Sequence, residues 1–278
     1  MNALTIEKNE RLGKILSDMN RVIVAFSGGV DSTLVLKRAQ QELGTDNVLA
    51  VVVASELFRK EEFDGAVKLA EDMGAKVLKT EIKELEDEGV AANTPDSWYF
   101  SKKLLYGHLN DLAKELGYDH VLDGMIMDDL DDFRPGLRAR TEAGARSVLQ
   151  EADLYKREVR ELSKELDLPV WNKPASCSLA SRIPYGTRLD KTKIEQVNEA
   201  EKFIVKLGFD MVRVRHHETT ARIEVTAEEM AELLKHRDQI LLKLTTLGFK
   251  YVSIDLRGYR TGSMNEVLSA EEMEIQAN

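Results

Sequence analysis

The chain has little cysteine, proline and aromatic content, and it has no excess of positive charge. Its single cysteine, Cys177, excludes an internal disulfide and any multi-cysteine metal site. The 39 Lys and Arg residues are outnumbered by 49 Asp and Glu, so the chain lacks the global basic field of a nucleic-acid-binding protein. Apolar runs are too short to span a bilayer, and residues 1–21 are too polar for a signal peptide. These absences predict a cytoplasmic protein without membrane or nucleic-acid partners.

A glycine turn lies between a predicted strand and a predicted helix. The β-branched run at 22–26 is typical of a buried strand, and the apolar spacing over 32–43 is typical of a helix packed on a sheet. The turn reads, in order, Ser27, Gly28, Gly29, Val30, Asp31 and Ser32. Strand, turn and helix in this order gather backbone N–H groups and the positive helix end around one point. The stretch therefore predicts a phosphate site, with an ordinary capped turn as the alternative.

Two common phosphate loops are excluded by the residues of this turn. A Walker loop ends in Gly-Lys-Ser/Thr, whereas the first lysine after this turn is Lys37. The dinucleotide fingerprint needs three spaced glycines, and only Gly28 and Gly29 are present.

Strands and helices alternate along the rest of the first half of the chain. Predicted strands at 48–53, 76–80 and 120–124 alternate with helical patterns, which favours a parallel α/β sheet. Ligands bind beyond the carboxyl ends of such strands, so a nucleotide base is expected near Ser55 and a second ligand-facing turn at Gly124. The acidic run that follows contains Asp128, Asp129, Asp131 and Asp132. This run is either a solvated loop or the source of a metal ligand.

A proline-containing loop at 169–184 marks a domain boundary. We predict a nucleotide-binding domain over 1–170, a cysteine-bearing loop over 171–189, and a C-terminal α+β domain over 190–278 with a hairpin, a helix over 227–247 and a last strand. His216 and His217 are predicted as turn residues. Cys177 lies in the loop close in sequence to Lys173 and Arg182, and cationic neighbours populate the thiolate, so we predict a reactive thiol rather than an inert one.

Two arginines share one face of the first C-terminal strand. Arg213 and Arg215 alternate with valines, so their guanidinium groups point to the same side. Such a pair suits a phosphate or carboxylate, although a salt-bridged solvent face is the plainer alternative.

The glycine turn resembles the pyrophosphate loop (PP-loop) of the N-type ATP pyrophosphatases, whose domain is adenine nucleotide alpha hydrolase-like. Further segments make the chain similar to the LarE family of sacrificial sulfur transferases, which act in nickel-pincer nucleotide cofactor synthesis for lactate racemase. The segments that carry this second resemblance are 95–99, 122–126, 134–137, 175–178, 181–186, 212–215 and 221–224.

The resemblance implies an activity and a site. It implies that ATP and Mg²⁺ adenylate a carboxylate of pyridinium-3,5-biscarboxylic acid mononucleotide, and that Cys177 then gives up its sulfur and becomes dehydroalanine. The implied residues at ATP and pyrophosphate are Ser27, Gly28, Gly29, Asp31, Ser32, Ser55 and Gly124. The implied substrate residues are Trp98, Ser181, Arg182, Arg213 and Arg215. Asp31 is implied at Mg²⁺, and Glu201 is implied as a metal or polar site.

The resemblance also implies partners: an upstream carboxylating enzyme, a downstream nickel-inserting enzyme and further copies of the chain. Because one cysteine cannot hold an iron–sulfur cluster, the cluster route of some relatives is excluded. The competing interpretations are an ammonia-dependent synthetase, a tRNA thiolase and a nucleotide-binding regulatory module.

Overall fold

The chain forms two compact units in this computed structural model, which describes residues 3–130, 136–174, 176–260 and 262–268. Of these residues, the first unit comprises 3–84, 98–130, 136–174 and 176, and the second comprises 85–97, 177–260 and 262–268. The predicted division at residues 170 and 190 stays a prediction.

Helices and strands alternate through most of the described chain. The α-helices are α1 (Ala3–Ser17), α2 (Val30–Leu43), α3 (Lys60–Asp72), α4 (Glu88–Ala91), α5 (Ser97–Leu116), α6 (Gly136–Ala143), α7 (Val148–Glu151), α8 (Lys156–Glu165), α9 (Lys191–Lys206), α10 (Met230–Lys235) and α11 (Arg237–Thr246). The strands are β1 (Val22–Ala25), β2 (Val48–Ala54), β3 (Lys76–Glu81), β4 (His120–Leu122), β5 (Arg213–His217), β6 (Thr220–Glu224) and β7 (Tyr251–Ile254). Short 3-10 turns include Met127–Leu130, Leu179–Arg182 and Ala227–Glu229. None of the described helices is both long and apolar enough to cross a membrane.

The first unit is built on a parallel sheet with the strand order β3-β2-β1-β4. Successive residues of β1 point to opposite faces, so Val22 and Val24 belong to one apolar core and Ile23 to another. The first core includes Leu34 of α2, and the second includes Leu109 of α5. Helices cover both faces of the sheet, as expected for parallel strands. The predicted α/β class is confirmed.

The second unit has a three-stranded sheet with the order β5-β6-β7. β5 and β6 form the predicted antiparallel hairpin, while β7 lies parallel to β6. Its separate core includes Ile204 of α9, Val214 of β5 and Leu244 of α11. A small α+β unit after the parallel-sheet unit agrees with the predicted fold class.

Two local predictions in this unit were wrong. The single helix predicted over 227–247 is divided into a 3-10 turn, α10 and α11, because the chain tightens at His236, whose N–H donates to the Leu233 carbonyl. His216 is not a turn residue but a buried member of β5, where it pairs with Ala221. The turn lies after His217 and contains Glu218 at a φ of 52°.

Candidate functional site

The loop after β1 is shaped by a close backbone approach at Gly28. This residue has a φ of +69°, and a Cβ placed on it would lie 2.9 Å from both Cα and Cβ of Ala66 in α3. Only glycine fits this conformation and this space without strain. The helix α2 then begins at Val30, so its first amide groups have no acceptor within the helix. Sterics and topology together place these free amide groups at the point where the sequence predicts an anion site.

Hydroxyl groups close the loop on itself. The Oγ atoms of Ser27 and Ser32 are 3.1 Å apart, and the Ser27 amide donates to Ser32 Oγ at 3.3 Å. Thr33 Oγ1 donates to the Gly29 carbonyl at 2.7 Å. These bonds stabilise the conformation of the turn at the start of α2, where we predict the phosphate.

Gly124, two residues after the neighbouring strand β4, packs directly against this loop. A Cβ on Gly124 would lie 2.8 Å from the Ser32 amide nitrogen and 3.2 Å from Asp31 Cβ. The structure therefore brings Gly124 to the loop. Asp123 is buried beside it and accepts 2.7 Å hydrogen bonds from Tyr106 Oη and Ser147 Oγ. Burial and the nearby Asp123 carboxylate raise the pKa of Tyr106 far above its usual range.

Asp31 forms an ion pair that the sequence did not indicate. Nζ of Lys156, the first residue of α8, donates to both Asp31 carboxylate oxygens at 2.7 and 2.6 Å. Burial raises the pKa of Asp31, and the Lys156 ammonium opposes that shift. A Mg²⁺ ion at Asp31 would share these oxygens with Lys156, so the predicted metal role stays a prediction. Within the described ranges, no three His, Cys, Asp or Glu residues cluster to hold a metal ion.

Ser55 follows β2, and its hydroxyl group forms a hydrogen bond with the buried Glu84. Ser55 Oγ donates to Glu84, which also accepts from Ser101 Oγ. Burial raises the pKa of Glu84, and the two hydroxyl donors oppose the shift. The Leu57 amide donates to Ser55 Oγ at 3.1 Å. This network fixes the end of β2, where we predict the nucleotide base.

In the second unit, Cys177 is exposed and free. It directly precedes Ser178, whose Oγ accepts from the Ala180 amide at 3.2 Å and caps the 3-10 turn Leu179–Arg182. Burial and the Arg182 charge lower the pKa of Arg213, and the Cys177 sulfur is among the groups that oppose this shift, so the sulfur and this guanidinium lie within electrostatic reach. An exposed cysteine near a cation is the setting in which a thiolate acts as a nucleophile.

Arg182 and Glu201 form a buried ion pair beneath this turn. Nε and Nη2 of Arg182 donate to the two Glu201 oxygens at 2.9 and 3.1 Å, and the side chains are 3% and 0% exposed. Glu201 also accepts from the Val214 amide at 2.9 Å, which ties α9 to β5. Arg182 Nη1 donates to Ser181 Oγ at 2.7 Å. Glu201 therefore acts as a polar anchor in this arrangement, and its predicted metal role stays a prediction.

Arg215 of β5 is also paired with a buried glutamate. Nε and Nη2 donate to the fully buried Glu224 of β6 at 3.0 and 2.7 Å. Nη1 donates to the Ser181 carbonyl at 2.8 Å, and Nη2 also donates to Ser263 Oγ at 2.8 Å. Ser181 therefore links the two buried pairs, through its hydroxyl to Arg182 and through its carbonyl to Arg215.

Arg213 differs from both of these arginines. Its Nη1 donates to the Val212 carbonyl at 2.8 Å, and its guanidinium lies 5.2 Å from the Tyr259 ring centre. Among the described residues no carboxylate lies within ion-pair distance of it. Burial, followed by the nearby Arg182 charge, lowers the pKa of Arg213. A desolvated cation without an acidic partner, close to a second cation, is a binding point for an anion.

Comparison with known proteins identifies the family. A family model described as NAD synthase matches residues 10–97. The chain is 53% identical to the pyridinium-3,5-bisthiocarboxylic acid mononucleotide synthase of Lactiplantibacillus plantarum, over 96% of each chain. This chain belongs to that synthase's family, the LarE family. An uncharacterized protein of Synechocystis is 38% identical over 94% of this chain and 98% of its own. One component of the glutamine-hydrolyzing GMP synthase of Saccharolobus solfataricus is 27% identical over 67% of this chain and 55% of its own.

Trp98 and the acidic run are the remaining residues for which the sequence of this LarE-family chain suggests a role in the site. Trp98, half-buried, is the second residue of α5 in the first unit. In the acidic run, Asp128 accepts from the amide of Lys156, the first residue of α8, at 2.8 Å, and Asp129 accepts from the nearby Ile126 amide at 3.0 Å. Asp131 and Asp132 of that run lie outside the described residues, as do Arg134, Pro135 and Ala175 of the resemblance segments.

Two residues of the LarE-family site were missed by sequence reasoning. Lys156 pairs with Asp31 across 125 sequence positions, so no local pattern indicates it. Glu224 neutralises Arg215 as a diagonal neighbour across the hairpin, because the register places Arg213 opposite Glu224 and Arg222 opposite Arg215.

Proposed function

We propose that this LarE-family protein activates a carboxylate of pyridinium-3,5-biscarboxylic acid mononucleotide with ATP and then inserts the sulfur of Cys177. The observation that carries the proposal is Cys177 itself. It is the chain's one cysteine, it is exposed, and it lies within electrostatic reach of Arg213, a buried cation without a carboxylate partner among the described residues. The family relationship supports the substrate, because the Lactiplantibacillus plantarum relative is named for the bisthiocarboxylic acid.

The first step is adenylation at the loop of the first unit. A substrate carboxylate oxygen attacks the α-phosphorus of ATP, and the bond from that phosphorus to pyrophosphate breaks. The amide groups at the start of α2 receive the negative charge that develops on the leaving pyrophosphate. Lys156 holds Asp31 beside the loop. Mg²⁺, when bound, would neutralise phosphate charge, with Asp31 as the protein ligand that fits it by chemistry.

The second step moves sulfur from the protein to the substrate. The Cys177 thiolate attacks the activated acyl carbon, a C–S bond forms, and the C–O bond to AMP breaks. A base then removes the proton on Cα of residue 177. The electron pair forms the Cα–Cβ double bond, and the Cβ–S bond breaks with its electrons on sulfur. The substrate leaves as a thiocarboxylate, and the chain keeps dehydroalanine.

Substrate binding is assigned to the arginine cluster of the second unit. Arg213 is proposed as the direct partner of the substrate phosphate, because Arg182 and Arg215 already satisfy buried glutamates. Ser181 joins those two pairs and is proposed beside the phosphate. Trp98 is proposed as a substrate-facing aromatic residue, and Ser55 and Gly124 as residues at the nucleotide.

The pathway context is also part of the proposal. The substrate is a product of a carboxylating enzyme, and the thiocarboxylate is consumed by a nickel-inserting enzyme. The protein acts in the cytoplasm as a homo-oligomer. Neither an iron–sulfur cluster nor a second cysteine takes part.

Measuring the products of one reaction mixture tests the function. With ATP, Mg²⁺ and the pyridinium dicarboxylate nucleotide, the wild-type protein should release pyrophosphate and form thiocarboxylate. Cys177→Ala should still release pyrophosphate but form no thiocarboxylate. Ser17→Ala, which removes an exposed hydroxyl at the end of α1, should form thiocarboxylate like the wild type. Thiocarboxylate formation by Cys177→Ala would contradict the proposal.

An ammonia-dependent synthetase is the second candidate. It is favoured by the match to the NAD synthase family model and by the similarity to the GMP synthase component. It predicts ammonia-dependent pyrophosphate release that is insensitive to Cys177→Ala. Adding ammonia, or unmodified tRNA for a thiolase activity, to the same assay separates these functions.

A further inference from the structure

A lysine without an acidic partner contacts the phosphate loop. Nζ of Lys173 donates to the carbonyl oxygen of Gly28 at 3.0 Å. Among the described residues no carboxylate lies within ion-pair distance of this ammonium. Lys156, at the same loop, is instead neutralised by Asp31. At this loop, the charge of Lys156 is therefore neutralised by a carboxylate, whereas the charge of Lys173 is not.

The backbone around Lys173 is held by helix α8. Arg160 Nη1 donates to the Trp171 carbonyl at 2.9 Å, and Arg160 Nη2 donates to the Lys173 carbonyl at 3.1 Å. The Lys164 ammonium lies 4.9 Å from the centre of the Trp171 ring. Lys156, Arg160 and Lys164 follow one another at helical i, i+4 spacing and share one face of α8. One helix face thus pairs with Asp31 and also fixes the segment that carries Lys173.

The anchoring extends to the residue before the cysteine. Ser176 Oγ donates to Glu62 in the first turn of α3, the helix that packs against Gly28 through Ala66. The described parts of 171–176 are therefore bonded to both α8 and α3. A lysine on a backbone held at both ends is pre-organised, and binding through it costs less conformational entropy than binding through a free surface lysine.

The chemistry of the contact points to an anionic ligand. An ammonium group has three donors, and the Gly28 carbonyl accepts one while leaving the charge uncompensated. Backbone amides of the same loop already favour an anion, and Asp31 does not cancel the Lys173 charge because Lys156 is bound to it. A polyphosphate at the loop would supply the oxygens and the charge that Lys173 lacks.

We propose that Lys173 binds the polyphosphate of ATP and stabilises pyrophosphate as it leaves, and that Arg160 positions Lys173 for this contact. The inference deepens, and rests on, the proposed adenylation function. It assigns to the cysteine-bearing segment a role in nucleotide binding in addition to carrying the thiol.

Calorimetry on the full chain with ATP, inorganic pyrophosphate and AMP tests the assignment. Lys173→Met keeps the length of the side chain and removes its charge. We expect affinity for ATP and for pyrophosphate to fall about tenfold to a hundredfold, the loss expected for one charge-assisted hydrogen bond. AMP lacks the leaving phosphates, so its affinity should change less than about twofold. Lys173→Arg should recover most of the pyrophosphate affinity, because it restores the charge.

Two further variants separate a phosphate contact from a structural role. Lys68→Met removes the charge of an exposed lysine of α3 that pairs with Asp72 rather than with the loop, and it should bind pyrophosphate like the wild type. Arg160→Gln should weaken pyrophosphate binding in the wild-type background and add little in Lys173→Met, since it acts through that lysine. Unchanged pyrophosphate affinity in Lys173→Met would overturn the inference. An equal loss for AMP and pyrophosphate would also overturn it, because that result indicates a distorted loop.

The failure of this inference can be distinguished from failure of the proposed function. If the wild type binds pyrophosphate but releases none from ATP in the presence of the dicarboxylate nucleotide, the proposed function is wrong, while the comparison of Lys173→Met with the wild type still decides the role of Lys173. A wild type without pyrophosphate affinity would overturn both.

Discussion

The loop of the first unit and the arginine cluster of the second unit are both predicted to bind anions, but they are built by different means. The loop uses backbone amides and a close glycine approach, and its one acidic side chain is paired with Lys156. The cluster uses guanidinium groups, two of which are held by fully buried glutamates. The loop should therefore be sensitive to added volume, and the cluster to lost charge. It also follows that residues of the cluster contribute unequally to stability and to binding.

The largest expected effect is the loss of a buried glutamate in the cluster. Glu201→Ala leaves the buried Arg182 guanidinium without its acid and should lower the free energy of unfolding by about 3–5 kcal/mol. Urea denaturation measures this loss. The control is Glu88→Ala, which breaks the exposed pair with Arg188 and should change stability little. Equal losses in the two variants would show that burial does not set the cost of breaking these pairs.

Arg213→Ala should separate binding from stability within the cluster. The free energy of binding the pyridinium dicarboxylate nucleotide should become less favourable by about 1.5–3 kcal/mol, because one charge-assisted hydrogen bond to phosphate is lost. The free energy of unfolding should stay the same or rise, since burial lowers the pKa of this arginine and its charge is unfavourable in the folded protein. Arg215→Ala should instead lower the free energy of unfolding, because it leaves the buried Glu224 carboxylate without its ion-pair partner. Calorimetry with parallel urea titrations checks both, and equal destabilisation by the two variants would contradict the distinction.

Gly28→Ala tests the sensitivity of the loop to added volume. The new Cβ would meet the Ala66 backbone at a positive φ, so we expect a cost of about 1–3 kcal/mol in stability and loss of pyrophosphate release. Gly29→Ala is the matched stability control, because its φ is −82° and its Cβ would meet only Ser27 Oγ, at 3.4 Å. Similar stability of the two variants would mean that the approach to Ala66 does not constrain the loop.

The smallest effect concerns pH and the buried His216 of the second unit. Burial and the nearby Lys193 lower the pKa of His216 below its usual 6.5, and Asp190 opposes this shift. Below about pH 6.5 the unfolded chain binds the extra proton first, so stability should fall as the pH drops from about 7 toward the lowered pKa. His216→Gln, which keeps a donor for Gln196, should flatten this slope in urea titrations at several pH values. An unchanged slope would assign the effect to other groups, including His217, whose pKa burial also lowers.

Local sequence patterns were sufficient for the loop but not for its charge balance. The glycines, the strand before them and the helix after them are neighbours in sequence, so the strand–turn–helix order and the parallel sheet could be predicted. The Asp31–Lys156 pair depends on how distant elements pack, which periodicity does not report. The arginine pair on β5 was predicted as a clamp with a salt-bridged face as the alternative. Arg215 forms such a salt bridge with Glu224, its diagonal neighbour across the hairpin, and the clamp at Arg213 stays a prediction. The break at His236 was missed because no glycine or proline marks it.

Intact-protein mass spectrometry after reaction with ATP, Mg²⁺ and the pyridinium dicarboxylate nucleotide tests the central claim most directly. A sacrificial Cys177 predicts that thiocarboxylate formation stops at one sulfur per chain and that the spent protein has lost the elements of hydrogen sulfide at residue 177. Cys177→Ala, treated identically, should keep its mass. Continuing turnover without an added sulfur source, with the mass of the wild-type chain unchanged, would contradict the claim.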